Sequence, residues 1–175
     1  FFAVLMLREL GFSYMRYTLV TLTSTLTIYT VIGRWGRHAD TIGNLKIIRT
    51  TAPLIALLPI LWLFNRHPLY LLAAQAVSGF AWAGFNLCTS NFIYDAVTPE
   101  KRTRCIAYFN VFNGLALSMG ALTGGYLLQH LPSLSGSRIL TLFVISSALR
   151  LAVGTIMPAM LREVRPVEKV KSERI

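Results

Sequence analysis

The sequence predicts an all-α protein, a polytopic transmembrane helical bundle, and three observations predict it. The chain passes repeatedly through apolar stretches of about 18 residues or more, the length that crosses a hydrocarbon core of about 30 Å. It is 54% hydrophobic and 14% charged, with mean hydropathy +0.57; a soluble domain carries about 25% charged residues. The charges that remain are bunched between the apolar stretches, and the bunches on alternate sides are unequal.

The formal charge of +10 raises the question of nucleic acid. Its distribution argues against that partner: basic residues gather at the ends of apolar runs, and no stretch interleaves exposed aromatics with Lys and Arg. Cys88 and Cys105 lie in or beside apolar segments, without metal spacing or a disulfide framework, and read as small buried side chains. Phe1–Leu7 has no charged region before its apolar run, so it is not a signal peptide. It reads as the tail of a longer helix, and the chain as the C-terminal fragment of a larger protein.

The elements follow in order. Arg8–Arg16 is a polar turn around Gly11. The first complete span is predicted over about 17–32, rich in threonine whose hydroxyls can bond back to helix carbonyls; one face lining a polar cavity is the functional alternative. Gly33–Arg49 is a charged, glycine-punctuated loop. The second span, about 50–64, carries Pro53 and Pro59, which interrupt its hydrogen-bond ladder. Asn65–Pro68 is a tight turn, with His67 a solvated loop residue.

The third span, about 69–94, holds a stripe at helical spacing: Gln75, Ser78, Trp82, Asn86 and, further on, Asn91. An amide in hydrocarbon is costly without a partner, so this face meets either another helix or a substrate cavity. Gly79 and Ala83, four apart, permit close helix approach. Asp95–Arg104 is a second charged loop, in which Thr98 caps a helix opening at Pro99. The fourth span, about 105–128, is rich in glycine and carries Asn110 and Asn113 on one face. The fifth, about 139–161, has Arg150 near its middle, where a charge costs at least about 2.5 kcal/mol unless it snorkels or pairs. Residues 163–175 form a polar, loosely ordered tail.

Alternating the spans puts Arg34, Arg37, Lys46, Arg49, Lys101, Arg102, Arg104, Arg162, Arg165, Lys169, Lys171 and Arg174 on one side, against Arg8, Arg16, Arg66 and Arg138 on the other. That bias assigns the Gly33–Arg49 loop and the C-terminus to the cytoplasm.

Within the first loop, Gly36, Ala39, Asp40 and Gly43 match a loop signature of the major facilitator superfamily, roughly Gly-x-Leu-Ala-Asp-Arg-x-Gly-Arg-Arg. His38, Thr41 and Asn44 depart from it. Thr98-Pro99-Glu100-Lys101-Arg102 resembles a Pro-Glu-x-x-Arg-like run in a later loop of the family, with Arg102 one residue early. Trp82-Ala83-Gly84-Phe85-Asn86 and Tyr108-Phe109-Asn110 look like a bacterial branch. The resemblance covers essentially the whole chain and implies the C-terminal six-helix half of a twelve-helix fold. The spans are then helices eight to twelve, and Phe1–Leu7 is the end of helix seven.

The resemblance further implies secondary active transport of a small solute by alternating access, in a bacterial plasma (inner) membrane. The partners expected are the lipid bilayer, an unidentified small-molecule substrate and the N-terminal half of the same chain, with no nucleic acid and no cofactor. Candidate cavity residues are Trp82, Asn86, Asn110 and Asn113. Gly36, Arg37, Asp40, Gly43, Glu100, Arg102 and Arg104 are candidates for a cytoplasmic gate. In that gate Asp40 would accept bonds from the helix N-terminus near Thr98, or pair with Arg102 or Arg104; the same charges also serve simply to set topology. Arg150 is the intramembrane charge. A membrane enzyme would need paired carboxylates, a nucleophile beside a base, or metal ligands. His38, His67 and His130 are scattered, so an enzyme is not expected. The competing class is a non-transporting receptor, scaffold or channel subunit.

Overall fold

The computed structural model describes residues 1–134 and 136–164. The described residues form helices and turns, with one isolated antiparallel bridge between Leu134 and Ser137. The polar tail expected over 163–175 lies outside the described residues from position 165 onward.

Helix α1 (Phe2–Val4) continues directly into a π-helical turn over Leu5–Glu9. Leu5 and Met6 anchor this segment in a cluster with Val20, Trp62, Leu71, Ile139, Leu140 and Phe143. Gly11, at φ +61°, turns the chain, and Ser13 caps α2 (Tyr14–Ile42) by accepting the Arg16 N–H at 3.4 Å. Along α2 the hydroxyls of Thr21, Thr23, Thr27 and Thr30 donate to carbonyls three or four residues back. Their polarity is thereby satisfied within the helix, as expected of a threonine-rich span.

The expected Gly33–Arg49 loop is not a loop. Helix α2 runs through it to Ile42, and α3 (Asn44–Phe64) begins two residues later, so the whole connection is Gly43. At φ 92° and ψ 151° this residue occupies a backbone region open essentially to glycine alone. Tertiary packing explains the helical continuation. The Trp35 indole N–H donates to the Phe80 carbonyl at 2.9 Å, and Ala39 is buried with Ile47, Ile48 and Cys88. Charge and glycine content mark this stretch as polar; its Trp35 and Ala39 contacts come from α4 and from the next helix, α3.

At the opposite end of α3, Asn65 Oδ1 accepts the His67 N–H at 2.8 Å and His67 Nδ1 accepts the Leu69 N–H at 3.4 Å. His67 is thus the cap of α4 (Pro68–Ala96), with Pro68 in its first turn. Helix α5 (Pro99–His130) opens behind Thr98, again with proline in the first turn. Helix α6 (Arg138–Met160) is capped by Ser137 Oγ, which accepts the N–H groups of Ile139 and Leu140.

Helices α3, α4, α5 and α6 are each long and apolar enough to cross a membrane; α2, with its threonines and arginines, is not among them. Apolar burial drives little association in lipid, where close packing does more, and the helices do approach closely. A Cβ on Gly79 would collide with the Ser24 carbonyl oxygen and lie 2.9 Å from Thr27 Cβ, so α4 meets the α2 backbone there. Ala83 is buried one turn on, and a Cβ on Gly84 would meet the Trp35 ring at 2.8 Å. Helix α3 packs between α4 and α6, and a Cβ on Gly154 would lie 3.3 Å from the Ala52 backbone. Helix α5 stands at the margin, with Gly124 its one buried residue.

Candidate functional site: a mid-bundle cavity and a tied helix end

The α4 face predicted from spacing does converge with three other helices. Gln75, Ser78 and Trp82 line a cavity of about 280 Å³ with Ser24 of α2, Leu58, Pro59 and Trp62 of α3, and Arg150 of α6. Spacings of three and four residues bring the α4 groups onto one face. Pro59 has no N–H to donate, which leaves the Ile55 carbonyl without that ladder bond. Phe2 closes one side, tilted against Trp62 with ring centroids 5.0 Å apart. Trp82 stands edge-on to Phe85 at 5.8 Å. The cavity combines aromatic walls with an amide, two hydroxyls and a guanidinium, a lining suited to holding and orienting a small polar solute.

A second cavity, about 570 Å³, lies between α5 and α6 and is mainly apolar, with Leu117, Leu127, Leu142 and Leu149 in its wall. Arg150 borders both spaces.

The other expected cavity residues sit elsewhere. Asn86, one turn beyond Trp82, is exposed and lines neither cavity. At that level the interior is filled by Ile55, Leu58 and Ala81 with Phe85 packed on them. Asn110 and Asn113 are exposed on α5 and line neither cavity, because that helix lies at the edge of the bundle. Asn91 serves a helix–helix contact: its amide donates to Asn44 Oδ1 at 3.4 Å.

That contact belongs to a network tying the Gly43 end of the bundle. Asn44, 1% exposed, donates to Asp95 Oδ2 at 3.0 Å. The Leu45 N–H donates to Glu163 Oε2 at 2.7 Å. Arg49 donates from Nε to the Pro158 carbonyl at 2.9 Å and from Nη2 to the Leu161 carbonyl at 2.8 Å. The logic is reciprocal. A carboxylate meets the unpaired N–H groups and positive dipole at the start of α3; a guanidinium meets the unpaired carbonyls and negative dipole at the end of α6. Two antiparallel helices are thereby joined by opposite charges at adjacent ends.

Of the expected gate residues, Gly43 is the helix joint and Gly36 lies within α2, facing Leu87. Arg37, Asp40, Glu100 and Arg104 are exposed. Arg102 is half-buried, its guanidinium 5.8 Å over the Tyr94 ring. Asn44, Asp95, Arg49 and Glu163 were not singled out from sequence as a joined set. Gly43 followed by Asn44 marks a helix restart, and Arg49 is a residue type that binds helix C-termini. Their pairing depends on which helices are neighbours. No group of three or more His, Cys, Asp and Glu side chains among the described residues is placed to hold a metal ion.

Membrane-length helices packed through glycines define an integral, multi-pass membrane protein. The family model described as Major Facilitator Superfamily matches residues 1–175, and the chain belongs to that superfamily of membrane transporters, whose members are not enzymes. No curated protein and no solved structure matches the chain.

Proposed function

We propose that the chain forms the C-terminal half of a secondary active transporter that moves a small solute by alternating access, in a bacterial inner membrane with the Gly43 end toward the cytoplasm. The carrying observation is the mid-bundle cavity in which Gln75, Ser78 and Arg150 join an otherwise apolar, aromatic wall that includes Trp82, in helices of membrane-spanning length. A midplane site between repeats that rock against each other is how such folds transport. The charge bias between the two sides supports the orientation. On this proposal the network of Asn44, Asp95, Arg49 and Glu163 keeps α3, α4 and α6 moving as one body. Asp40, Arg37, Arg102 and Arg104 contribute to closing the cytoplasmic side.

The test compares cells expressing the full-length protein, its Trp82→Ala variant and an empty vector, with mass spectrometry of small molecules on both sides of the membrane. The proposal expects at least one solute whose distribution shifts with wild type and returns toward the empty-vector value with Trp82→Ala at equal membrane abundance. Identical distributions in all three would overturn it.

A further inference from the structure

The sequence leaves Arg150 with three readings, snorkelling to a headgroup layer, a structural pairing or a functional charge within the membrane, and its surroundings bear on the last. Arg150 is the thirteenth residue of the 23-residue helix α6, roughly 15 Å along the axis from the Met160 end at 1.5 Å per residue. Its side chain is exposed, and it borders two cavities at mid-helix. On one side it faces Gln75, Ser78 and the aromatic rings of Trp62 and Trp82; on the other it borders the larger apolar space between α5 and α6.

No counter-charge stands at this level among the described residues. Their acidic side chains are Glu9, Asp40, Asp95, Glu100 and Glu163, and each lies in a link or near a helix end. Arginine presents a planar fork that fits a carboxylate or phosphate with two parallel hydrogen bonds. A guanidinium at membrane depth, with Gln75 and Ser78 lining the cavity on one flank and an apolar space on the other, is complementary to an anion with an apolar body.

We propose that Arg150 anchors the acid group of an amphipathic organic anion, the anionic group held at the junction of the cavities and the apolar part in the α5–α6 space. The proposal names the substrate class for the transporter reading above and rests on that reading for the occupant's being cargo. The same chemistry has a second source, the headgroup of an anionic lipid, and the experiment separates the two.

The probe is octanoate, titrated against the full-length protein in phosphatidylcholine nanodiscs and followed by tryptophan fluorescence, since Trp62 and Trp82 line the site. Octanol and octyltrimethylammonium have the same chain without the negative charge. The expected result is a saturable response to octanoate alone, weakened roughly tenfold in Arg150→Gln, as for the loss of about 1.4 kcal/mol of charge-assisted hydrogen bonding. Arg150→Lys, which keeps the charge, retains part of the affinity. Replacing the nanodisc lipid with phosphatidylglycerol distinguishes the source. An unchanged octanoate affinity indicates a solute site; a competitive loss that Arg150→Gln removes indicates a lipid-headgroup site; both support the anion site.

Equal responses to octanoate and octanol in wild type would overturn the proposal without any variant. So would equal octanoate affinity in wild type and a folded Arg150→Gln. Because the readout is binding, absence of transport with Arg150-dependent binding refutes the transport proposal and leaves this one standing.

Discussion

Replacing Gly79 with alanine adds one methyl group where α4 crosses the α2 backbone. That methyl carbon would overlap the Ser24 carbonyl oxygen and stand 2.9 Å from Thr27 Cβ, where ordinary contact begins at 3.4 Å. The helices must therefore part by about half an ångström or more, and the obstacle is backbone, which cannot rotate away. Overpacking of this kind costs about 1–3 kcal/mol. Alanine also favours the helix by about 1 kcal/mol relative to glycine, so the two effects partly cancel. Gly33 supplies the control: it lies in α2, and nothing stands within 4 Å of its added Cβ. Both variants share the propensity gain, so their difference isolates the clash. Gly79→Ala is expected to be less stable than Gly33→Ala by about 1–3 kcal/mol. The assay is unfolding of the full-length protein in mixed detergent micelles, followed by far-ultraviolet circular dichroism. Gly79→Ala at least as stable as Gly33→Ala would refute the close α2–α4 crossing.

Three further outcomes are expected. Gly43→Ala forces a side chain into φ 92° and is expected to destabilise by about 1–3 kcal/mol in the same unfolding assay. Arg49→Gln removes the guanidinium from the Pro158 and Leu161 carbonyls; limited trypsin digestion is expected to cut after Arg162 several times faster, with unchanged rates leaving the tie without consequence. Cys105 is half-buried and Cys88 is buried, so a maleimide is expected to modify Cys105 first in the folded protein and Cys88 only on unfolding; the reverse order would contradict the placement of α4.

The fold class was legible because lipid imposes a simple rule: apolar length means a crossing, and every backbone group must be paired within its own helix. Threonine self-satisfaction along α2 and close approach at Gly79 and Ala83 followed from the same chemistry. The Gly33–Arg49 stretch was misread as loop because composition reports polarity, whereas its helical state is set by Trp35 against Phe80 and Ala39 against Cys88. The cavity stripe was half legible. Gln75, Ser78 and Trp82 follow from helical spacing, but where the stripe leaves the cavity is decided by what fills the interior beside Asn86. Asn110 and Asn113 have the same local pattern on a helix at the margin of the bundle. The Arg49 and Glu163 ties join positions more than one hundred residues apart in sequence, and helix-end chemistry alone does not say which end meets which.

Alternating access is tested most directly at Ser78, which lines the mid-bundle cavity. In the full-length protein, Ser78→Cys with Cys88 and Cys105 replaced by serine is reacted with a membrane-impermeant thiol reagent, in right-side-out and in inverted vesicles. Transport by alternating access predicts modification from either side, with one-sided saturation exhausting the site for the other. Modification from a single face at all times, or none without detergent, would contradict it.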